Sequence, residues 1–263
     1  MWKFAAASVI GSSHVANDVP CQDAHACALV MDAQGAEVIV LAAADGAGTA
    51  KHAERGATLC VETFQGAMGD FLRRRTISDL SAEEVRRQVS AVRGAVVAEA
   101  AAAGEHARDY ACTFLAAVVG PSHASFCQIG DGALIVSEVG EGEDWSWVFW
   151  PQRGEFANAT NFITDDDALE VLEAAATERR VEELALLTDG LERLVLKYDT
   201  RSVFSPFFEA MFAPLREIGG KGESAPLSSA LSTYLGSKQV VCRTDDDTTL
   251  VLATRRRAGE RGG

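Results

Sequence analysis

The stretch VIVLAAADGAGTAKHAERGATL, Val38 to Leu59, decides the fold. Its apolar run from Val38 to Ala44 has the length and β-branched content of a strand buried on both faces. The run stops on Asp45, with Gly46 and Gly48 beyond it, and from Lys51 the pattern becomes charged and helical. A dinucleotide-binding turn is one reading of a strand followed by Gly-x-Gly. It fails because no third glycine completes the spacing and because Asp45 would repel a phosphate.

Outward from this stretch, KFAAASVIG, AHACALVMD, CTFLAAVVG, HASFCQIGD, ALIVSEVG, WSWVFW, LALLTDG and TLVLAT read as further strands bounded by turn residues. Helical patterns run from Lys51 to about Arg74 and over SAEEVRRQVSAVRGAVVAEAAAAG. There Ser81 and Glu84 form a capping box and Gly104 is the stop. A second helical pair, SVFSPFFEAMFAPLREIGG and APLSSALSTYLGS, follows the strand that ends at Asp189. Strands joined by short turns, with helices arriving in pairs, predict an α+β fold of antiparallel sheets covered by helices. One domain over residues 1–254 is expected, followed by a frayed basic tail over 255–263.

The run that ends on Asp45 has counterparts. SFCQIGDG ends on Asp131, LALLTDG ends on Asp189, and TDDDTTLVLAT places Asp245, Asp246 and Asp247 before the last strand. A single Asp-Gly is a turn signal. Four carboxylate clusters at strand ends predict a site for a hard divalent cation, because magnesium and manganese take oxygen ligands in a near-octahedral shell that keeps several waters.

Composition narrows the function classes. A formal charge of −14 argues against a nucleic-acid partner, since that affinity comes from Lys and Arg set on phosphates. Six cysteines occur without a C-x-x-C pair and predict buried, reduced thiols in a cytoplasmic protein rather than a zinc site or a disulfide framework. MWKFAAASVIG lacks the charged start and cleavage site of a signal peptide and reads as the first strand. No apolar run reaches the roughly 18 residues that a membrane span needs, so no membrane partner is expected.

With these motifs in order, the chain resembles the metal-dependent serine/threonine protein phosphatases of type 2C, in particular their bacterial branch. The resemblance rests on GSSHVANDVPCQDAHA, VLAAADGAGTAKHAERGA, YACTFLAAVV with CQIGDGALIV, EFANATNFIT, LALLTDGLERL and DDDTTLVLA, from Gly11 to Ala253. It implies an αββα sandwich, two antiparallel sheets flanked by helix pairs, with two Mn2+ or Mg2+ ions in a cleft at one end. Asp45 would bridge both ions and the Gly46 carbonyl would bind the first. Asp189 and Asp246 would hold the second, while Asp23 would orient water on the ions with Gln22 beside it. Asp131 resembles a ligand of a third ion, but Arg193 stands where the family places that ion's second acid.

Two further departures bear on the chemistry. Gln22 replaces the first acid of the family's Glu-Asp pair, and Asp18 occupies the place of an Arg that grips the substrate phosphate. The cationic role then falls to His14, Lys51 or Arg55, with His14 first because SSH lies next to the CQDA turn; a hydrogen-bonded loop residue is its other reading. Ala47 stands where some members carry a His, which leaves water or His52 as the general acid. The implied activity is hydrolysis of phosphoserine and phosphothreonine on proteins modified by a Ser/Thr kinase, by a water that two ions activate. A pseudophosphatase scaffold with weakened metal binding is the alternative. Asp165 to Asp167 read as turn caps, Trp145, Trp147 and Trp150 as a packed sheet face, and the two Arg-Arg-Arg runs, at 73–75 and 255–257, as solvated ends.

Overall fold

The computed structural model describes residues 1–138, 145–152 and 160–256. Two sheets stack face to face. The smaller has the order β2 (Asp23–Met31), β3 (Glu37–Asp45), β4 (Phe114–Val119), β5 (Ala124–Ile129) and β8 (Glu173–Thr177), every neighbour antiparallel. The larger has the order β12 (Gly222–Glu223), β1 (Lys3–Val9), β13 (Thr248–Thr254), β9 (Val181–Leu187), β6 (Ala133–Glu138) and β7 (Ser146–Trp147). It is antiparallel except where β12 runs parallel to β1. A separate hairpin joins β10 (Leu196–Lys197) to β11 (Ser202–Val203).

Strand parity explains the layers. Val38, Val40, Ala42 and Ala44 of β3 pack outward against α2 (Ala53–Leu72) and α3 (Ala82–Ala103). Ile39, Leu41 and Ala43 alternate with them and face β1, β13 and β9 across the sandwich. A strand buried on both sides must be apolar at every position, which is what the run from Val38 to Ala44 shows. On the other flank α6 (Ser205–Glu217) and α7 (Ala225–Leu235) cover the larger sheet through Phe208, Phe212, Leu215 and Leu235. The helix pairs on the two outer faces make the αββα sandwich expected from the resemblance. Short helices α1 (Ser12–Ala16), α4 (Ala168–Val171), α5 (Glu192–Val195) and α8 (Lys238–Val241) lie in the connections.

Several sequence expectations need correction. Ser81 Oγ accepts from the Glu84 amide at 3.2 Å, but the Glu84 carboxylate turns to Arg87 and Gln88, so only half of the capping box forms. Gly104 does close α3, with φ +73°. Of WSWVFW only Ser146 and Trp147 form a strand. Trp145 stacks on Phe212 at 4.7 Å inside the helix-facing core, whereas Trp147 and Trp150 pack edge to face under Arg201. All three nevertheless pack on the helix-facing core of the larger sheet, as a packed sheet face requires. Cys60, Cys112 and Cys127 are buried as expected, but Cys21 and Cys27 are partly exposed and Cys242 is exposed. Arg255 and Arg256 are not a solvated end: Arg255 lies over the Trp2 ring, and Arg256 is buried against Ser137 and Glu183. The rest of the tail and the first half of EFANATNFIT lie outside the described residues. Among the described residues no helix is long and apolar enough to cross a membrane.

Candidate metal centre

Parity also sets the direction of the first acid. Asp45 continues the Ile39, Leu41, Ala43 series, so it points into the gap between the sheets where β3 ends. Asp23 stands opposite it in the β2–β3 register. Thr113 fixes the end of β3 from the other side: its amide donates to the Asp45 carbonyl at 2.8 Å and its Oγ1 accepts from the Asp45 amide at 3.0 Å. The chain then turns into α2 so tightly that a Cβ on Gly46 would stand 2.8 Å from the Ala53 backbone. The Asp45-Gly46 pair is therefore a close-approach requirement as well as a turn.

The opposite sheet supplies the other acids. Asp189 follows β9, and a Cβ on Gly190 would come within 2.1 Å of the Asp247 carbonyl, so the turns after β9 and before β13 are pressed together. Asp246 lies on that second turn and Asp131 on the turn between β5 and β6. Asp45, Asp131, Asp189 and Asp246 line one cleft of about 280 Å³, together with Gly46, Thr113, His14 and Phe162. No Lys or Arg lines it among the described residues.

The electrostatics follow from this crowding. Burial raises the Asp45 carboxyl well above the ordinary range, and Asp23, Asp189, Asp246 and Asp131 push it the same way. Burial, with Asp131 and Asp246 adding to it, pushes Asp189 up to about 6. Asp23 is pushed up to about 7 by burial, against the hydrogen bonds that Thr249 and Thr188 donate to it. Oδ1 of both Asp23 and Asp189 is buried without a hydrogen-bond partner. Buried carboxylates with unmet acceptor capacity and no cation among them fit a divalent ion. Among the described residues no group of three or more His, Cys, Asp or Glu side chains is placed to hold a metal ion by itself. An octahedral ion that keeps several waters needs only one or two direct carboxylates.

Other predicted residues lie outside the cleft lining. Asp23 and Gln22 are buried beside Asp45: the Gln22 carbonyl accepts from the Gly46 amide at 3.1 Å, and its side-chain Oε1 meets no partner. His14 does line the cleft, and its Nδ1 lies 2.9 Å from Asp247 Oδ2. Lys51 pairs with Glu105 and Arg55 with Glu99 on the surface, which removes both as the phosphate-gripping cation. His52 also turns to Glu105, at 2.5 Å, and stacks on Tyr110, away from the position a general acid needs. Arg193 is exposed on α5.

Sequence reasoning missed Thr113, Thr188 and Thr249, and it placed Asp247 in an acidic cluster without seeing its role. Thr188 and Thr249 hold Asp23, and Asp247 accepts from the amides of Gly11 at 2.7 Å and Gln22 at 2.6 Å. A usable signal was present for one of them, since Thr249 shares the parity of Val251 and Ala253, which face the gap.

Comparison with known proteins identifies the family and the fold. The sequence profile of the protein phosphatase 2C family matches residues 10–236. Serine/threonine-protein phosphatase 3 of Escherichia coli (strain K12) is 35% identical over 258 residues, covering 96% of this chain and 98% of that protein. Among solved structures, a bacterial serine phosphatase superposes with a TM-score of 0.65 at 13% identity, covering 98% of this chain and 99% of its own. The serine/threonine phosphatase Stp1 of Staphylococcus aureus gives 0.64 at 13% identity over 97% and 95%. The catalytic domain of the serine threonine protein phosphatase PstP, solved in complex with two manganese ions, gives 0.63 at 17% identity over 96% and 97%. The length of the profile match and the identity to the Escherichia coli enzyme together place this chain in the protein phosphatase 2C family.

Proposed function

We propose that this chain hydrolyses phosphoserine and phosphothreonine on proteins, in a two-ion Mn2+ or Mg2+ centre built on Asp45, the Gly46 carbonyl, Asp189 and Asp246. The observation that carries the reading is the convergence of four strand-end aspartates on one cleft whose described walls carry no Lys or Arg. When bound, a pair of divalent ions supplies an activated water nucleophile and neutralises charge on the phosphoryl oxygens. The chain's own part is to place the donors. Thr113 fixes the backbone of Asp45, and Thr188 and Thr249 hold Asp23 beside it with one oxygen left to orient water. Asp131 would be one ligand of a third ion, whose second acid is missing at Arg193.

His14 is the residue we assign to the substrate phosphate. Asp247 Oδ2 sits 2.9 Å from its Nδ1, and the residue lines the cleft beside Asp45 and Asp246. Water is the general acid, since His52 is held by Glu105. The substrate is a phosphoprotein made by a Ser/Thr kinase, in a bacterial cytoplasm, with no nucleic-acid or membrane partner. The scaffold alternative rested on Gln22, and the cleft keeps Asp45, Asp189 and Asp246 together, which favours catalysis.

The test is release of phosphate from a phosphothreonine peptide with and without manganese, with Asp45→Asn as control. Activity that persists undiminished in EDTA, or an Asp45→Asn protein as fast as the wild type, overturns the reading.

A further inference from the structure

The β1–β13 pairing starts at Val9–Thr248 beside the aspartate cleft and ends at Lys3–Thr254, roughly 20–25 Å away at the rise of an antiparallel strand. At that far end lies a second cavity of about 380 Å³, lined by Lys3, Arg216, Arg255 and Arg256 beside Gly219 and Gly220. In a chain of net charge −14 this gathering of cations stands out, although Glu217 also lines the cavity and Arg216 and Arg256 are paired with carboxylates. The wholly buried Glu183 takes Arg216 through Nε at 2.8 Å and Arg256 at 3.3 Å, while Glu209 takes Arg216 at 2.7 Å.

Arg255 is placed differently. Its Nη1 and Nη2 donate to the carbonyls of Pro121 at 3.2 Å and Gly120 at 2.6 Å, and its guanidinium lies 4.2 Å from the Trp2 ring centre. It makes no ion pair among the described residues, and its buried Nε meets no partner. Burial pushes the group down to about 10, so nearby carboxylates do not offset its desolvation. Lys3, 5% exposed, reaches the carbonyls of Arg216 at 2.9 Å and Ile218 at 3.1 Å on the same wall. Among the described residues no atom lies within 4 Å of a Cβ built on Gly219 or Gly220, so there is room for a side chain at either position.

We propose that this cavity binds a small phosphate-bearing anion, with Arg255 as its principal cation, at a site separate from the metal centre. The group fits because a phosphoryl oxygen can accept from the Nη hydrogens that the two carbonyls leave over and can neutralise a guanidinium that makes no ion pair among the described residues. Such a ligand binds the folded chain and so stabilises it.

The full chain is titrated with inorganic phosphate and, separately, with glycerol phosphate in EDTA at fixed ionic strength, following melting temperature and tryptophan fluorescence. Without metal the aspartate cleft repels anions, so a saturating response reports the far cavity. The expected result is saturation that sodium chloride does not reproduce, with the half-saturating concentration raised about tenfold or more in Arg255→Gln. Tighter binding of the ester marks an organic phosphate as the ligand, and equal binding marks free phosphate. If Arg255→Gln does not fold, Gly219→Asp provides the same reading, because it adds a carboxylate to the cavity lining. Unchanged saturation in the folded variant, or a response equal to that of chloride, overturns the proposal.

Discussion

Thr249 on β13 donates from Oγ1 to Asp23 Oδ2 at 2.7 Å, across the gap between the two sheets. Thr188, at the end of β9, donates to the same oxygen at 2.8 Å. The smaller sheet thus contributes the acid and the larger sheet the hydroxyls, which locks the sheets together at the end where the metal centre lies. Both hydrogen bonds favour the carboxylate, yet burial outweighs them and raises Asp23 to about 7.

The sign of the pH dependence follows for the metal-free protein. Asp23, Asp189 and Asp45 all have folded values above the ordinary carboxylate value near 4, so the folded state holds their protons more tightly than the unfolded chain does. Stability is then greatest in mild acid and falls as pH rises through about 6 to 7. In EDTA the melting temperature should drop between pH 5 and pH 8, and manganese should restore more stability at the alkaline end. A metal-free melting temperature that climbs over that range would contradict the crowding described at the cleft.

Removing a ligand charge should separate chemistry from folding. Asp45→Asn and Asp246→Asn are expected to lower turnover by about 10²–10³-fold, the scale of losing one pre-organised electrostatic stabiliser. Circular dichroism should stay unchanged, because neither side chain packs a core. Near wild-type rates in both variants would mean that the ions bind elsewhere.

Asp247 should behave in the opposite way. Its carboxylate is 2% exposed and accepts from the Gly11 and Gln22 amides while facing His14. Asp247→Ala leaves two buried amides without an acceptor and should cost about 2–5 kcal/mol of stability. Urea unfolding in EDTA, with Asp246→Asn alongside, measures this without interference from metal binding. Equal costs for the two variants would show that the loop does not distinguish them.

The sequence carried the architecture wherever apolar runs met turn residues. Val38 to Ala44 could only be a strand buried on both faces, and its end at Asp45 marked the site. It did not carry β8, because EAAAT is small and Ala-rich and becomes a strand only by pairing with β5. Nor did three consecutive aspartates say which one lines the cleft: they lie in the turn before β13, where Asp246 reaches the cleft and Asp247 organises the loop. Arg255 and Arg256 read as a solvated end, since nothing local in a basic run announces Trp2 and Glu183 as distant partners.

Gln22 gives the last prediction. Its amide and carbonyl join Asp247 to Gly46, and its buried side chain leaves Oε1 without a partner beside Asp45. A glutamate there places one more carboxylate among acids that already resist ionising, which burial makes costly in the metal-free protein. The same charge favours a bound dication. Gln22→Glu should therefore melt lower than wild type in EDTA and reach half-maximal activity at a lower manganese concentration, with a smaller change in rate at saturating metal. The two readouts must move together if the residue senses the ions. Superimposable manganese curves with a lowered metal-free melting temperature would make Gln22 a packing residue of the turn and leave the metal centre to the aspartates alone.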